Sequence, residues 1–582
     1  MDILNFNLGK GEKEMKRSRV LAVAMVLAML LGTTSSFACT AVYVGKDVSS
    51  DGSTIIARSE DQGTGAYNKM FFVVDRVENV PGRTIDDVQG FSYALPATTY
   101  KYTIVPDYSA GGDGPYFGAC TNEYGLSISG TVSAYPRVEL EKVDPMIEGG
   151  LREAVLPGIV AATCKTAKEG VELLASIIEE RGSEEGNVIM LADKKEAWIF
   201  EVYSGHLWAA QKMPTDKVAV FGNQYMIGEV DPTDTENFMF HKDLFKVAEE
   251  NGWTTEVNGK VHLAATFAEP REDYSNMRTW MGHKLLAPST VGEYETAELY
   301  PLFYAPDDKV SVLEVMDVLR NRYEGTKFDA SLPGNEELRV IGVERQSQIH
   351  AIQVKEEYPD EISALQWLAL GNAEHSVFLP NFSGINDTYK AYKVDGEDFD
   401  VNGAYWKFKR ICTLAEQNRS FYGQGVKDYW NFYEEALYAE MQEAEKEMIA
   451  LYAKDPEAAK AYVTELHMDI AAKAMKDADH LFDELQFFVM DRFGRTAAKL
   501  GNAFEADVAI RDAADAAGYS VNWTGNNKPI ELTKGTTTYS FTIGSDVCTV
   551  TKDGKATDVE LSYAVKLENN TTYIPLSIAE AM

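Results

Sequence analysis

The chain has 582 residues, 45% of them apolar, enough for more than one domain and a substantial core. Its net charge is −35, with no basic stripe to offset it, which argues against nucleic acid as a partner. Five widely spaced cysteines do not make a disulfide scaffold. The eight scattered histidines, with no CxxC pair and no HExxH, give no zinc pattern, so neither a metal nor another cofactor is expected.

Residues 1–14 are polar, and Met15-Lys16-Arg17 reads as a translation start, with an extended basic leader as the alternative. Lys16, Arg17 and Arg19 precede an apolar run over 20–32, which ends in the small-residue stretch Ser36-Phe37-Ala38. These are the parts of a signal peptide cleaved after Ala38. The run is short for a permanent span, and no later stretch reaches the roughly 20 apolar residues that a bilayer helix needs. Cleavage makes Cys39 the first residue, so one residue carries both a thiol and a free α-amine. That is a nucleophile with its own base. A free α-amine titrates at about 7.7–8.0 and can accept the thiol proton near neutrality. While Ala38 is attached, the same nitrogen is an amide and cannot, so the uncut precursor is expected to be inactive.

Further along, 40–44, 54–58 and 70–74 read as strands, the first two separated by the turn signal Ser49-Ser50-Asp51-Gly52. Residues 121–131 read as strand around a glycine turn. Residues 151–181 read as helix stopped by Gly182. Strands return over 187–202 and 217–225. Residues 428–493 carry Ala, Glu, Lys, Met and Leu at helical period, which predicts two or more long helices with a solvated charged face. After a short helix over 504–517, residues 519–576 alternate Val, Thr, Tyr and Ile between Gly and Asn turns, predicting a small β-rich appendix.

The first hairpin carries a chemical consequence. A turn centred on Ser50-Asp51 puts Arg58 across from about Tyr43 and Asp61 across from about Thr40, within a residue or two. A guanidinium and a carboxylate then reach the Cys39 terminus. The cation favours thiolate, and the carboxylate can hold the α-ammonium. A surface salt bridge at a strand end is the plainer reading of the same pair.

The blocks Cys39-Thr40, Asp51-Gly52-Ser53, Arg58-Ser59-Glu60-Asp61 and Asn122-Glu123-Tyr124-Gly125-Leu126 resemble the dipeptidase A family of N-terminal-nucleophile cysteine peptidases. Asp193-Lys194-Lys195-Glu196-Ala197-Trp198, Glu201, Gly205-His206-Leu207-Trp208-Ala209, Asn223, Arg278-Thr279-Trp280 and Arg322-Tyr323-Glu324-Gly325-Thr326 continue the likeness to about Gly501. The resemblance implies an α+β fold of four αββα layers with two stacked antiparallel sheets. It implies Cys39 as nucleophile and, through its amine, base, with Arg58 and Asp61 ordering that terminus. It also implies Asn122 as an oxyanion donor, and Asn223 and Arg278 completing the site. Taken singly, Asn122 and Asn223 also read as turn residues, and Arg278 as a cation packed on the Trp280 indole.

Ala517-Gly518-Tyr519-Ser520-Val521-Asn522-Trp523, Ile530-Glu531-Leu532 and Thr572-Tyr573-Ile574-Pro575-Leu576 resemble copper-amine-oxidase-N-terminal-like modules of envelope proteins, although no copper-ligand cluster accompanies them. The expected division is a leader over 1–38, a peptidase domain over 39–501 and the module over 505–582. The expected activity is a secreted dipeptidase acting on small peptides, its module touching the cell wall or surface. Two other readings stand beside it. One is an amidase of the bile-salt hydrolase or penicillin acylase type. The other is a lipid-anchored envelope binding protein with Cys39 as lipobox cysteine, for which Ser36-Phe37-Ala38 fits poorly.

Overall fold

The computed structural model describes residues 38–109, 114–492, 507–525, 528–561, 563–568 and 571–582. The leader over 1–37 lies outside them. Two antiparallel sheets form the centre. In the six-stranded sheet the order is Val218–Phe221, Ala38–Val44 (β1), Thr54–Asp61 (β2), Gln346–Val354, Ala364–Leu370 and Leu379–Phe382. The eight-stranded sheet runs Phe238–Phe240, Trp208–Lys212, Ala197–Val202, Asn187–Ala192, Ser127–Ser133, Ala119–Asn122, Tyr102–Ile104 and Phe72–Val74. The inner strands β1, β2 and Gln346–Val354 pack on Ser127–Ser133 of the other sheet. They are buried along nearly their whole length, which is why Ala-Val-Tyr-Val and Ile-Ile-Ala run without apolar–polar alternation.

Helices lie against each sheet. Leu156–Thr163 and Ala167–Arg181 contact the eight-stranded sheet, while Asp273–Leu286, Val312–Arg320 and Ala404–Glu416 contact the six-stranded one. The single helix expected over 151–181 is thus two. Thr166 ends the interruption by accepting the Glu169 N–H at 3.1 Å, capping the second helix. Gly182 stops that helix with φ 78°, and a Cβ there would also sit 2.3 Å from Ile147. The long charged segment is two helices, Gln424–Tyr452 and Pro456–Arg492. The first buries Val426, Trp430, Tyr433, Leu437, Met441, Ala444 and Met448, spaced three or four residues apart, and exposes its charges on the other face. The C-terminal residues form a five-stranded meander from Ser520–Asn522 to Lys555–Glu560 over their own core of Ile530, Leu532, Phe541 and Ile574.

The first hairpin differs from expectation by two residues. Arg58 pairs with Ala41, and Asp61 with Ala38. The connection is a loop and not a tight turn: the Val48 and Ser49 N–H groups fold back onto the Gly45 carbonyl, while Asp51 accepts from the Ser53 N–H. A slip of two leaves every side chain on its face, because strand side chains alternate with period two.

Candidate active site

Glu60 lies directly across β2 from Cys39, and Gln348 across the next strand from Glu60. Two rows away, Ala41, Arg58 and His350 align in the same order. Period two sends Cys39, Arg58 and Glu60 to the same face. Arg58 Nη1 stands 3.6 Å from Cys39 Sγ, and its Nη2 donates to Glu60 Oε2 at 2.7 Å. Lys69 Nζ bridges Glu60 Oε1 at 2.7 Å and Asp107 Oδ1 at 2.6 Å, and the Tyr67 hydroxyl donates to Asp107 Oδ2 at 2.8 Å. Arg58, Glu60, Lys69 and Asp107 thus alternate in sign behind the thiol with wholly buried side chains.

Two glycines make room for this chain. A Cβ on Gly130 would lie 3.1 Å from the Arg58 guanidinium and 2.3 Å from the Gly118 carbonyl. A Cβ on Gly118 would lie 2.7 Å from Glu60 Oε2. Burial would raise the Glu60 carboxyl, but Lys69 and Arg58 outweigh it and hold Glu60 below its usual value. Asp107, buried and close to Glu60, goes the other way, to about 7 despite Lys69.

The other side of β1 holds the backbone of Cys39. Its N–H donates to Asn223 Oδ1 at 3.1 Å. Arg278 Nη1 donates to the Cys39 carbonyl at 2.5 Å and to Thr40 Oγ1 at 3.1 Å, and Nη2 to Asn223 Oδ1 at 2.8 Å. Asn223 Nδ2 in turn donates to the Ser133 carbonyl at 2.9 Å, tying this anchor to the second sheet. Arg278 is fully buried and is no surface cation on Trp280. A Cβ on Gly222 would sit 2.7 Å from its guanidinium. Asp61 points to this side and pairs with Arg339, while its Oδ1 has no hydrogen-bond partner among the described residues. Glu201 fixes the Asn223 loop by accepting from the Met226 and Ile227 N–H groups at 2.5 and 3.0 Å.

Burial pushes the Cys39 thiol up to about 12, and the pull of Arg58 does not overcome it. With Ala38 still attached and no exposure at Cys39, the thiol is protonated near neutrality.

A family model described as peptidase family C69 matches residues 38–432, from β1 through both sheets. The chain belongs to peptidase family C69. By class it is a hydrolase, a cysteine-type dipeptidase. Probable dipeptidase B of Streptococcus pyogenes serotype M1 is 33% identical over 471 residues, 78% of this chain and 94% of that one. A probable dipeptidase of Latilactobacillus sakei is 32% identical over 399 residues, 67% of this chain and 84% of that one. Among solved structures, a mutant of conjugated bile acid hydrolase from Clostridium perfringens aligns over 59% of this chain and 92% of its own at 10% identity and a TM-score of 0.25. Residues 505–582 match the copper amine oxidase N-terminal domain.

Within this C69 chain, five of the six expected residues gather at one terminus: Cys39, Arg58, Asp61, Asn223 and Arg278. Asn122 does not join them and takes its plainer reading as a turn residue. Its Oδ1 accepts from the Tyr124 and Leu126 N–H groups at 3.0 and 3.2 Å, and its Nδ2 donates to the Ala161 and Cys164 carbonyls at 2.9 and 2.7 Å. It also lies four residues beyond Gly118, the point of its chain segment that meets Glu60, or about 13 Å along a strand. Its amide closes a hairpin and ties it to the end of the neighbouring helix. Lys69, Asp107, Arg339 and Gln348 belong to the site and carry no local motif that would have marked them. All five cysteines are free and buried, and no cluster able to hold a metal occurs among the described residues.

Proposed function

We propose that the chain is a secreted dipeptidase whose nucleophile, Cys39, is released by cleavage after Ala38. The observation that carries this reading is the handling of one nitrogen. The Cys39 N–H already rests on Asn223 Oδ1, the thiol lies against Arg58, and Asp61 Oδ1 beside the β1 terminus is an unused acceptor. Once the peptide bond to Ala38 is gone, that nitrogen becomes an amine with two oxygen acceptors to hold it. It takes the thiol proton, sulfur attacks the dipeptide carbonyl, the amine protonates the leaving amino acid, and water releases the acyl group. Opening the terminus also hydrates Cys39, removing the burial that keeps its thiol protonated.

Under this reading helices cover both stacked sheets to give four αββα layers. The peptidase domain extends over 39–501 and the separate core of 505–582 forms an accessory module that contacts the cell wall or surface. The leader directs the chain out of a bacterial cell. N-terminal sequencing and intact mass of the secreted protein, beside a dipeptide panel, test the proposal. A mature chain beginning at Cys39 and splitting dipeptides supports it; an acylated Cys39, or a mature chain starting elsewhere, refutes it.

A further inference from the structure

Three guanidiniums surround one phenol, Tyr274, linked through Arg278 to the Cys39 backbone. The Arg278 and Arg339 guanidinium carbons lie 5.2 and 5.7 Å from the Tyr274 ring centre, and Arg345 Nη2 donates to the Tyr274 hydroxyl at 3.3 Å. Burial would raise this phenol, but the three cations outweigh it and hold it below its usual value. Asp61 is the carboxylate of the cluster, and it is paired with Arg339. In a chain of net charge −35, this local excess of positive charge calls for an anion.

The three arginines are not equally free to meet one. Arg278 is buried and its N–H groups go to Cys39, Thr40, Asn223, Tyr274 and Ser275. Arg339 is committed to Asp61 and the Val340 carbonyl. Arg345 is half-buried, has no carboxylate partner among the described residues, and spends N–H groups on the Gln62 carbonyl and on Tyr274. A guanidinium has five N–H donors in a planar fork that suits a carboxylate.

Arg345 is also tied to the strand end beside the Cys39 terminus. Its carbonyl accepts from the Gln62 N–H, one residue past Asp61, which pairs with Ala38. Its Tyr274 partner gives its own carbonyl to Arg278, which holds the Cys39 carbonyl. Tyr274 and Asn223 line one cavity of about 70 Å³, with Glu269, Arg271 and Glu272 on its wall. In a dipeptide, the terminal carboxylate carbon is three bonds from the scissile carbonyl carbon, within about 4 Å. Whatever holds that carboxylate must stand beside the nucleophile.

We propose that Arg345, presented by Tyr274, binds the free α-carboxylate of the leaving residue and so restricts cleavage to substrates that end there. The inference rests on the dipeptidase reading above. The test compares kcat/KM of the mature enzyme on L-alanyl-L-alanine and on its C-terminal amide. Wild type should prefer the acid by about 10- to 100-fold, the span of one charge-assisted hydrogen bond. Arg345→Met should lose that preference, mostly on the acid, and Arg345→Lys should recover part of it. Tyr274→Phe, which keeps the ring, should lower the preference with less effect on the amide. Equal wild-type rates on acid and amide, or an Arg345→Met variant that folds and loses both equally, would overturn the assignment. If the mature wild type cleaves neither compound, the dipeptidase reading falls first and this inference with it.

Discussion

Arg58 stands two positions out of register from Cys39 on the neighbouring strand, yet its Nη1 lies 3.6 Å from the Cys39 sulfur. The residue directly opposite Cys39 is Glu60, which takes the other end of the same guanidinium. The cation at the thiol is therefore shared, and how much of its charge the sulfur feels depends on what else Glu60 binds.

Cys39→Ala in the mature chain should abolish hydrolysis and leave the fold. It deletes one sulfur atom from a buried position, a change of about 1 kcal/mol, while the backbone bonds to Asn223 and Arg278 remain. Cys39→Ser should also lose most activity, because a hydroxyl ionises far less readily than a thiol. Dipeptide turnover and melting temperature on the same preparations check both; a folded, active Cys39→Ala protein would refute the nucleophile.

A chain that keeps a removable tag directly before Cys39 should be inactive until the tag is cut. Its thiol should alkylate with iodoacetamide only at strongly alkaline pH, in line with the value of about 12 set chiefly by burial. Tag removal should bring the alkylation profile down and switch on turnover together. The two new titrating groups share one residue, so the profile reports the pair.

Lys69→Met should weaken catalysis from a distance. Without Lys69, Glu60 keeps Arg58 and the neutral donors Gln62, Ser347 and Gln348, and one cation leaves a neighbourhood that also contains Asp107, Tyr116, Glu153 and His350. Both effects disfavour thiolate, so the mature thiol should titrate higher and kcat/KM at neutral pH should fall by about tenfold. Unpaired buried carboxylates also cost about 3–5 kcal/mol. The double variant Lys69→Met, Asp107→Asn limits that cost and should keep the altered alkylation profile. An unchanged profile in a folded double variant would make Lys69 purely structural.

Glu201→Gln should flatten the pH dependence of stability. Burial raises Glu201 from 4.5 to about 7, against the N–H groups that favour its charge. A folded-state value above the unfolded one means the folded chain binds the proton more tightly. Its stabilising contribution is full below pH 4.5 and is lost as pH rises through about 7, at most about 3 kcal/mol. Melting curves from pH 4.5 to 8 should fall more steeply for wild type than for Glu201→Gln. Equal slopes would show that Glu201 keeps its charge throughout.

A chain ending at Gly501 should retain its kcat on dipeptides, since residues 507–582 build a core of their own from Ile530, Leu532, Phe541 and Ile574. Binding to purified cell walls, if the module provides it, should disappear in the same variant. A folded truncation with reduced turnover would place part of the site in the module.

Local order decided what could be read from the residues alone. Cys39 follows a basic, apolar and small-residue sequence, a pattern carried by local order alone. Arg58 and Asp61 follow within one hairpin, and a two-residue error in its register left both faces intact because strand side chains alternate. The ordered motifs were enough to point to the peptidase family. The long helices were legible from their period, since helix formation is a local event.

The rest depended on strands and helices far apart in sequence. Asn223 and Arg278 meet Cys39 across separations of 184 and 239 residues, and only the assembled six-stranded sheet brings them together. Asn122 shows the converse, because a turn-closing asparagine and an oxyanion donor are the same residue type until the neighbouring carbonyls are in place. Lys69, Asp107 and Arg339 look like ordinary surface charges in the chain. Folding buries them against Glu60 and Asp61, and in a low-dielectric interior a charge takes its meaning from its partners, which no local pattern records.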